Sequence, residues 1–106
     1  MITVKDAAQF MGIDYFEGDE MVTGNISRAL SSAVYRLKSS VGDDILDYFN
    51  DDTRTDSLLC MYTEEEYDNH TTNSKQASAQ NHLRDLYETQ LRLELSRARN
   101  KAGESV

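Results

Sequence analysis

The chain contains no proline among its 106 residues. Proline is the residue that most strongly ends or kinks a helix, so its absence leaves long helices uninterrupted. Strong helix formers such as Ala, Leu, Glu and Arg are frequent, and no Val/Ile/Thr-rich run alternates with polar residues as a half-buried strand does. We therefore predict an all-α fold, a small bundle of about four helices.

The length indicates a single domain. A chain of 106 residues is too short for two ordinary domains and long enough to bury one modest core. We expect residues 1–101 to form one α-helical domain and residues 102–106 to form a flexible C-terminal tail.

Capping residues and hydrophobic periodicity predict the first two helices. A short helix is expected over residues 4–11, with Thr3 as its N-cap and Gly12 as its stop. A long helix is expected over residues 19–41, because its apolar residues fall within an arc of about 140° at about 100° per residue. These residues are Val22, Ile26, Ala29, Leu30, Ala33, Val34, Leu37 and Val41.

The second half of the chain predicts two more helices. Residues 43–49 suggest a short apolar turn or a strand-like piece, and residues 50–53 favour turns and N-caps. A third helix is expected to begin there and to end in the acidic run at residues 64–68. A polar loop is predicted over residues 69–76, followed by a last helix over residues 77–101.

The last helix has more apolar surface than one core contact requires. Its leucines and Tyr87 spread over an arc of about 200°, wider than the stripe of a helix that packs on one side. Either the helix is buried between two layers of its own domain, or its second face meets another copy of the chain. We favour the second arrangement, because small domains expose large apolar patches mainly where partners bind. The proposed subunit interface consists of Leu83, Leu86, Leu91, Leu93 and Leu95.

Charge is distributed unevenly along the chain. The net charge is −8, which disfavours generic binding to nucleic acid or to anionic membranes. Residues 1–68 hold fifteen acids and five bases, a net of −10, whereas residues 69–106 hold four acids and six bases, a net of +2. The lone Cys60, a start unlike a signal peptide and the lack of a long apolar run predict a protein made in the cytoplasm, without a membrane partner.

No pattern of residues indicates catalysis, a metal site or a cofactor. Asp43, Asp44 and Asp47 match the spacing of a diphosphate–magnesium motif, but that chemistry needs a deep cavity and a second carboxylate cluster. The two histidines lack the glutamates of a Glu-x-x-His site. Cys60 lies in an apolar stretch without an adjacent base, so we expect it in the core.

The basic residues of the last helix allow two interpretations. Arg84 and Arg92 each stand four residues from Glu88, a spacing that predicts intrahelical ion pairs. The cations near the C-terminal end have two possible roles. They either stabilise the negative end of the helix dipole and increase solubility, or they dock to an acidic partner, including the acidic part of a neighbouring copy. These cations are Arg97, Arg99 and Lys101.

Three segments, in order and spacing, are similar to one protein family. The first is the opening, residues 1–14, followed by an acidic spacer. The second is the long helix with Ile26, Ala29 and Ala33, which leads into Val41-Gly42-Asp43-Asp44. The third is Leu58-Leu59-Cys60-Met61-Tyr62-Thr63-Glu64-Glu65, followed by a polar loop. Together they resemble the head-tail connector (adaptor) proteins of tailed bacteriophages.

The resemblance implies a structural, non-enzymatic subunit of the virion neck, made in the cytoplasm of the host bacterium. About twelve copies would form a ring that joins the portal protein to the next connector or tail-completion protein and helps to retain packaged DNA. We expect Arg92, Arg97, Arg99 and Lys101 to contact the portal. Asp43, Asp44 and Asp47 would form an acidic channel surface past which DNA slides without specific binding.

A second interpretation is a small regulatory α-helical dimer. Leu83, Leu86, Gln90 and Leu93 follow the three-four spacing of a coiled coil, so the last helix would pair with its counterpart in a second copy.

Overall fold

The structure, a computed structural model, describes residues 1–13, 19–67 and 74–104, and the side chains of these residues other than 74–80 and 104. Across those ranges the chain forms α-helices and no strand. In chain order they are α1 (Val4–Met11), α2 (Glu20–Ser40), α3 (Ile45–Phe49), α4 (Thr53–Tyr67) and α5 (Ser74–Glu104). The prediction of an all-α bundle is confirmed, with four longer helices and one single-turn helix.

The capping residues of α1 and α2 act as the sequence predicted. The Thr3 hydroxyl accepts a hydrogen bond from the Asp6 backbone N–H at 3.1 Å, and the Asp6 carboxylate accepts one from the Thr3 N–H at 2.9 Å. This reciprocal pair lowers the pKa of Asp6. Gly12 ends α1 in a left-handed conformation with φ 72°. At α2, the Asp19 side chain accepts a hydrogen bond from the Val22 N–H at 3.2 Å.

Three details of the predicted elements need correction. Residues 45–49, expected as an apolar turn or a strand-like piece, form a single turn of helix, because Ile45 is buried and anchors the segment on the core. Residues 74–76, predicted as loop, already belong to α5, while residues 68–73 lie outside the described part of the chain. α5 also continues to Glu104, three residues past the predicted boundary.

The core forms where α1, α2 and α4 meet. α2 contributes a buried stripe that includes Ile26, Ala33 and Leu37, each 0% exposed. α1 contributes Ala7 and Ala8, whose small side chains let its backbone approach both helices closely. The cluster is completed by α4 residues, among them Leu58, Leu59, Cys60 and Tyr62.

α5 packs on α4 and α3 and runs along the whole molecule. Its 31 residues correspond to a helix about 46 Å long, close to the 48 Å longest dimension of the described chain. A helix of this length extends beyond the 15 residues of α4 on which it packs. Much of its surface therefore faces solvent within one protomer.

Candidate interaction surface

The two sides of α5 have different environments. Leu91 and Leu95 are 0% exposed and belong to the core, whereas Leu86 and Leu93 are 45% and 53% exposed. The proposed interface therefore needs correction: Leu91 and Leu95 pack within their own protomer and are not available to a second copy. At about 100° per residue, Leu86 and Leu93 lie roughly opposite them on the helix.

The outward-facing leucines form a continuous stripe. Leu86 and Leu93 stand seven residues apart, and Leu83 lies partly buried at the edge of the same face. Thr89 and Ser96, also exposed, occupy intervening positions. We call Leu86, Thr89, Leu93 and Ser96 the outer stripe of α5. Of the coiled-coil set proposed from the sequence, Leu86 and Leu93 belong to this stripe, and Leu83 and Gln90 lie partly buried beside it.

The predicted portal contact is divided by intramolecular contacts. Arg92 donates to the Ser40 carbonyl at 2.6 Å and forms an ion pair with Glu88 at 3.3 Å. Arg99 binds the Asp44 carboxylate through both Nε and Nη2, with Nε 2.9 Å from Oδ2. All four cations are exposed. Arg92 and Arg99 also fasten α5 to the end of α2 and to the start of α3.

The predicted acidic surface is divided in the same way. Asp44, assigned to the channel, is the partner of Arg99, assigned to the portal contact, so one residue from each predicted site meets here. The Arg99 hydrogen bonds are the main reason why the pKa of Asp44 is lowered. Asp43 and Asp47 are exposed. The acidic character of this surface therefore depends on Asp43 and Asp47.

An ion-pair network that the sequence analysis missed fixes α5 on the bundle. Arg54 at the start of α4 binds Asp52 at 2.7 Å and Glu94 of α5 at 2.9 Å. The Asp52 and Glu94 hydrogen bonds raise the pKa of Arg54 further, and Arg54 lowers the pKa of both carboxyls. These partners lie up to 40 residues apart in the sequence, so no local spacing predicts their pairing.

A second group of ion pairs joins α2, α4 and α5 around Glu65. Arg36 of α2 lies 2.5 Å from Glu65, and Arg84 of α5 binds the other oxygen of the same carboxylate. The predicted Arg84–Glu88 pair is therefore wrong, since Arg84 turns to α4 instead. The buried Tyr62 donates its hydroxyl to Glu88, and the Arg36 guanidinium stands 4.6 Å from the centre of its ring. The Glu88–Arg92 pair is confirmed.

α2 presents a second exposed face that the sequence analysis did not single out. Met21 and Tyr35 are 77% and 74% exposed, on the side of α2 away from its buried stripe. An open groove of about 560 Å³ runs beside Tyr35 and is bordered by Ser31, Ser32, Ser39, Arg36 and Glu66. The available signal was the seven-residue spacing of Met21, Arg28 and Tyr35, which places all three opposite the core residues.

The reactive side chains of the described residues are either buried or dispersed. Cys60 is buried as predicted, and burial raises its pKa to about 11, which disfavours the reactive thiolate at neutral pH. No group of three or more His, Cys, Asp or Glu in the described residues is placed to hold a metal ion. None of the helices described is long and apolar enough to cross a membrane.

These observations concentrate the candidate functional surface on the outer stripe of α5 and the exposed face of α2. Comparisons with protein families, with curated proteins and with solved structures found no match to this chain.

Proposed function

We propose that this protein is a structural subunit that assembles with copies of itself through the outer stripe of α5, as a head-tail connector subunit of a tailed bacteriophage. The observation that carries the proposal is the outward orientation of Leu86 and Leu93 on a helix whose opposite side is firmly packed. Burying a fully exposed leucine side chain is worth about 1.5–3 kcal/mol, and covering the exposed half of Leu86 and of Leu93 contributes about half of that each.

The anchoring of α5 supports an interface function. Arg54, Arg84 and Arg99 connect three points along α5 to the rest of the protomer. Helix packing and ion pairs together hold the outer stripe in a defined position relative to the core. An interface that is already ordered loses less conformational entropy on association, which favours repeated, identical contacts.

In the connector interpretation, about twelve copies form a ring in the virion neck between the portal and the next tail-side protein. All four cations of the proposed portal contact are exposed, and Asp43 and Asp47 are the exposed acids of the proposed channel surface. Acidic side chains there repel DNA phosphates and let DNA pass without specific binding. The subunit performs no reaction and uses no cofactor.

A regulatory dimer is the second candidate. Leu83, Leu86, Gln90 and Leu93 are at least partly accessible and have coiled-coil spacing, which favours pairing of α5 with α5 of one other copy. The dimer and the ring differ in mass by about a factor of six, so they are readily distinguished.

The proposal is tested by measuring the mass of the full chain over a range of concentrations by light scattering and native mass spectrometry. We expect a high-order oligomer that the Leu86→Glu and Leu93→Glu variants fail to form. Gln9→Glu, an exposed change on α1, is the matched control and leaves assembly intact. A 12.1 kDa monomer at every soluble concentration, or assembly unaffected by both leucine variants, would contradict the proposal.

A further inference from the structure

The exposed face of α2 has a regular pattern of large and small side chains. Met21, Arg28 and Tyr35 are large, exposed and seven residues apart. The exposed residues Asn25, Ser32 and Ser39 alternate with them at the same interval. We call these six positions the outer face of α2. Asn25 and Ser32 are the smaller residues that stand between the large ones, and one groove beside Tyr35 is bordered by Ser32 and Ser39.

The outer stripe of α5 has the complementary pattern. Leu86 and Leu93 project at a seven-residue interval, about 10.5 Å along the helix, and Asn25 and Ser32 are separated by the same distance on α2. Helices pack when side chains of one insert between those of the other, so the two leucines match the positions of Asn25 and Ser32. Both helices flank α4, and each of these faces points away from the core.

We propose that the outer stripe of α5 docks on the outer face of α2 of a neighbouring copy. This inference rests on the proposed function and names the surface that the α5 interface contacts. Two different surfaces take part, so each subunit in a chain of copies keeps one of each free for the next neighbour. Such a heterologous contact closes into a ring or continues as a filament, whereas pairing α5 with α5 stops at a dimer.

Charge determines the relative direction of the two helices. Arg97 is exposed near the end of α5, and Asp19 and Glu20 are exposed at the start of α2. With Leu86 on Ser32 and Leu93 on Asn25, an antiparallel arrangement brings Arg97 beside Glu20. A parallel one places Arg97 beside the end of α2 that carries Lys38. The antiparallel arrangement also unites the basic last third of one copy with the acidic part of the next. Arg97 then lies between copies rather than in the proposed portal contact.

Cysteine crosslinking tests which surfaces meet. Leu86→Cys and Ser32→Cys are made in separate full-length chains, and a flexible thiol crosslinker is applied to each variant alone and to their mixture. The wild-type chain is the control, since its buried Cys60 thiol is protonated. We expect a covalent dimer in the mixture and little in either variant alone, and a ladder of multiples when both cysteines are in one chain.

The other outcomes separate this inference from the proposed function. If the Leu86→Cys variant alone forms a covalent dimer and the mixture gives no additional product, the contact is an α5–α5 dimer. That result would overturn the docking of α5 on α2. An oligomer that gives no crosslink in any combination would also overturn it, while leaving self-assembly in place. A monomeric chain would refute both.

Charge reversal tests the direction of the helices. Arg97→Glu places a carboxylate opposite the acids of α2, and we expect assembly to weaken by about tenfold. Adding Glu20→Arg in the same chain restores it, because the pair is re-formed with the charges exchanged. Lys5→Glu, an exposed change on α1, is the control. Failure of Glu20→Arg to restore assembly would overturn the antiparallel arrangement.

Discussion

α4 and α5 use their side chains in opposite ways. α4 has 15 residues, and seven are buried, including six consecutive ones from Leu58 to Thr63. Six consecutive residues point in every direction around a helix, so neighbours cover α4 on nearly all sides. α5 has 31 residues, and among its described side chains only Leu91 and Leu95 are fully buried. Position in the bundle, rather than leucine content, decides which helix retains surface for assembly.

The largest expected effect compares two leucines on opposite sides of α5. Leu95→Ala removes a fully buried side chain from the core and leaves a cavity, which lowers the free energy of unfolding by about 2–5 kcal/mol. Leu93→Ala, a change of the same residue type two positions away, alters the stability of the isolated protomer by less than about 0.5 kcal/mol. Urea unfolding under conditions where the chain is monomeric measures both.

We expect the same two variants to affect self-association in the reverse order. Leu93→Ala weakens self-association, whereas Leu95→Ala acts on association only through its effect on folding. Equal losses of stability for the two variants would show that the two sides of α5 are not distinct.

Gly42 lies where the chain leaving α2 passes against α5. Its φ is 156°, and a Cβ atom there would stand 2.6 Å from Leu95 Cδ2 and 2.7 Å from Arg99 Nη2. Gly42→Ala therefore combines an unfavourable backbone conformation with a clash, and we expect a loss of about 1–3 kcal/mol. Gly24→Ala is the control, because a Cβ atom there would lie 3.8 Å from Arg28 Nη1, an ordinary van der Waals contact, and alanine favours a helix by about 1 kcal/mol.

Thermal unfolding of the two glycine variants distinguishes these cases. We expect the midpoint to fall for Gly42→Ala and to rise for Gly24→Ala. A Gly42→Ala protein as stable as the wild type would show that α5 is not packed closely against this turn.

A smaller difference in stability is expected between an arginine that forms ion pairs with α5 and one on its exposed side. Arg54→Gln breaks the connection between Asp52 and Glu94 and leaves two partly covered carboxylates without their cation, so we expect a loss of about 1 kcal/mol. Arg97→Gln on the exposed side of α5 changes stability by less than about 0.5 kcal/mol. Chemical denaturation of both variants in low and high salt measures the difference, which added salt reduces. Equal stabilities would indicate that packing alone holds α5.

Local signals in the sequence were sufficient to predict most of the helices. Thr3 and Gly12 marked the ends of α1, and the stripe from Ile26 to Leu37 identified both α2 and its buried side. The single turn of α3 was missed, because a five-residue helix is too short to show periodicity and depends on the burial of Ile45.

The candidate surface was predicted only in part. The wide apolar arc of α5 indicated two contacts but gave no means of deciding which leucines faced the core, so Leu91 and Leu95 were grouped with Leu86 and Leu93. The ion pairs were missed for a related reason: Arg84 has Glu88 nearby in sequence but binds Glu65, whose proximity exists only after α4 and α5 pack. Contacts of this kind depend on tertiary structure.

The smallest expected effect concerns the exposed Arg99–Asp44 pair and its dependence on pH. Pairing lowers the pKa of Asp44 in the folded protein, so the pair stabilises the fold at pH values above the unfolded carboxyl pKa of about 3.9. That contribution is lost as the pH falls through the lower folded pKa. Arg99→Gln should therefore be slightly less stable than the wild type at pH 7, and the difference should vanish in strong acid, where Asp44 is protonated in both. Urea unfolding from pH 7 down to about pH 2.5, with Arg97→Gln as the control, measures this convergence. A difference that persists unchanged in acid would mean that Arg99 stabilises α5 through packing of its side chain rather than through its charge.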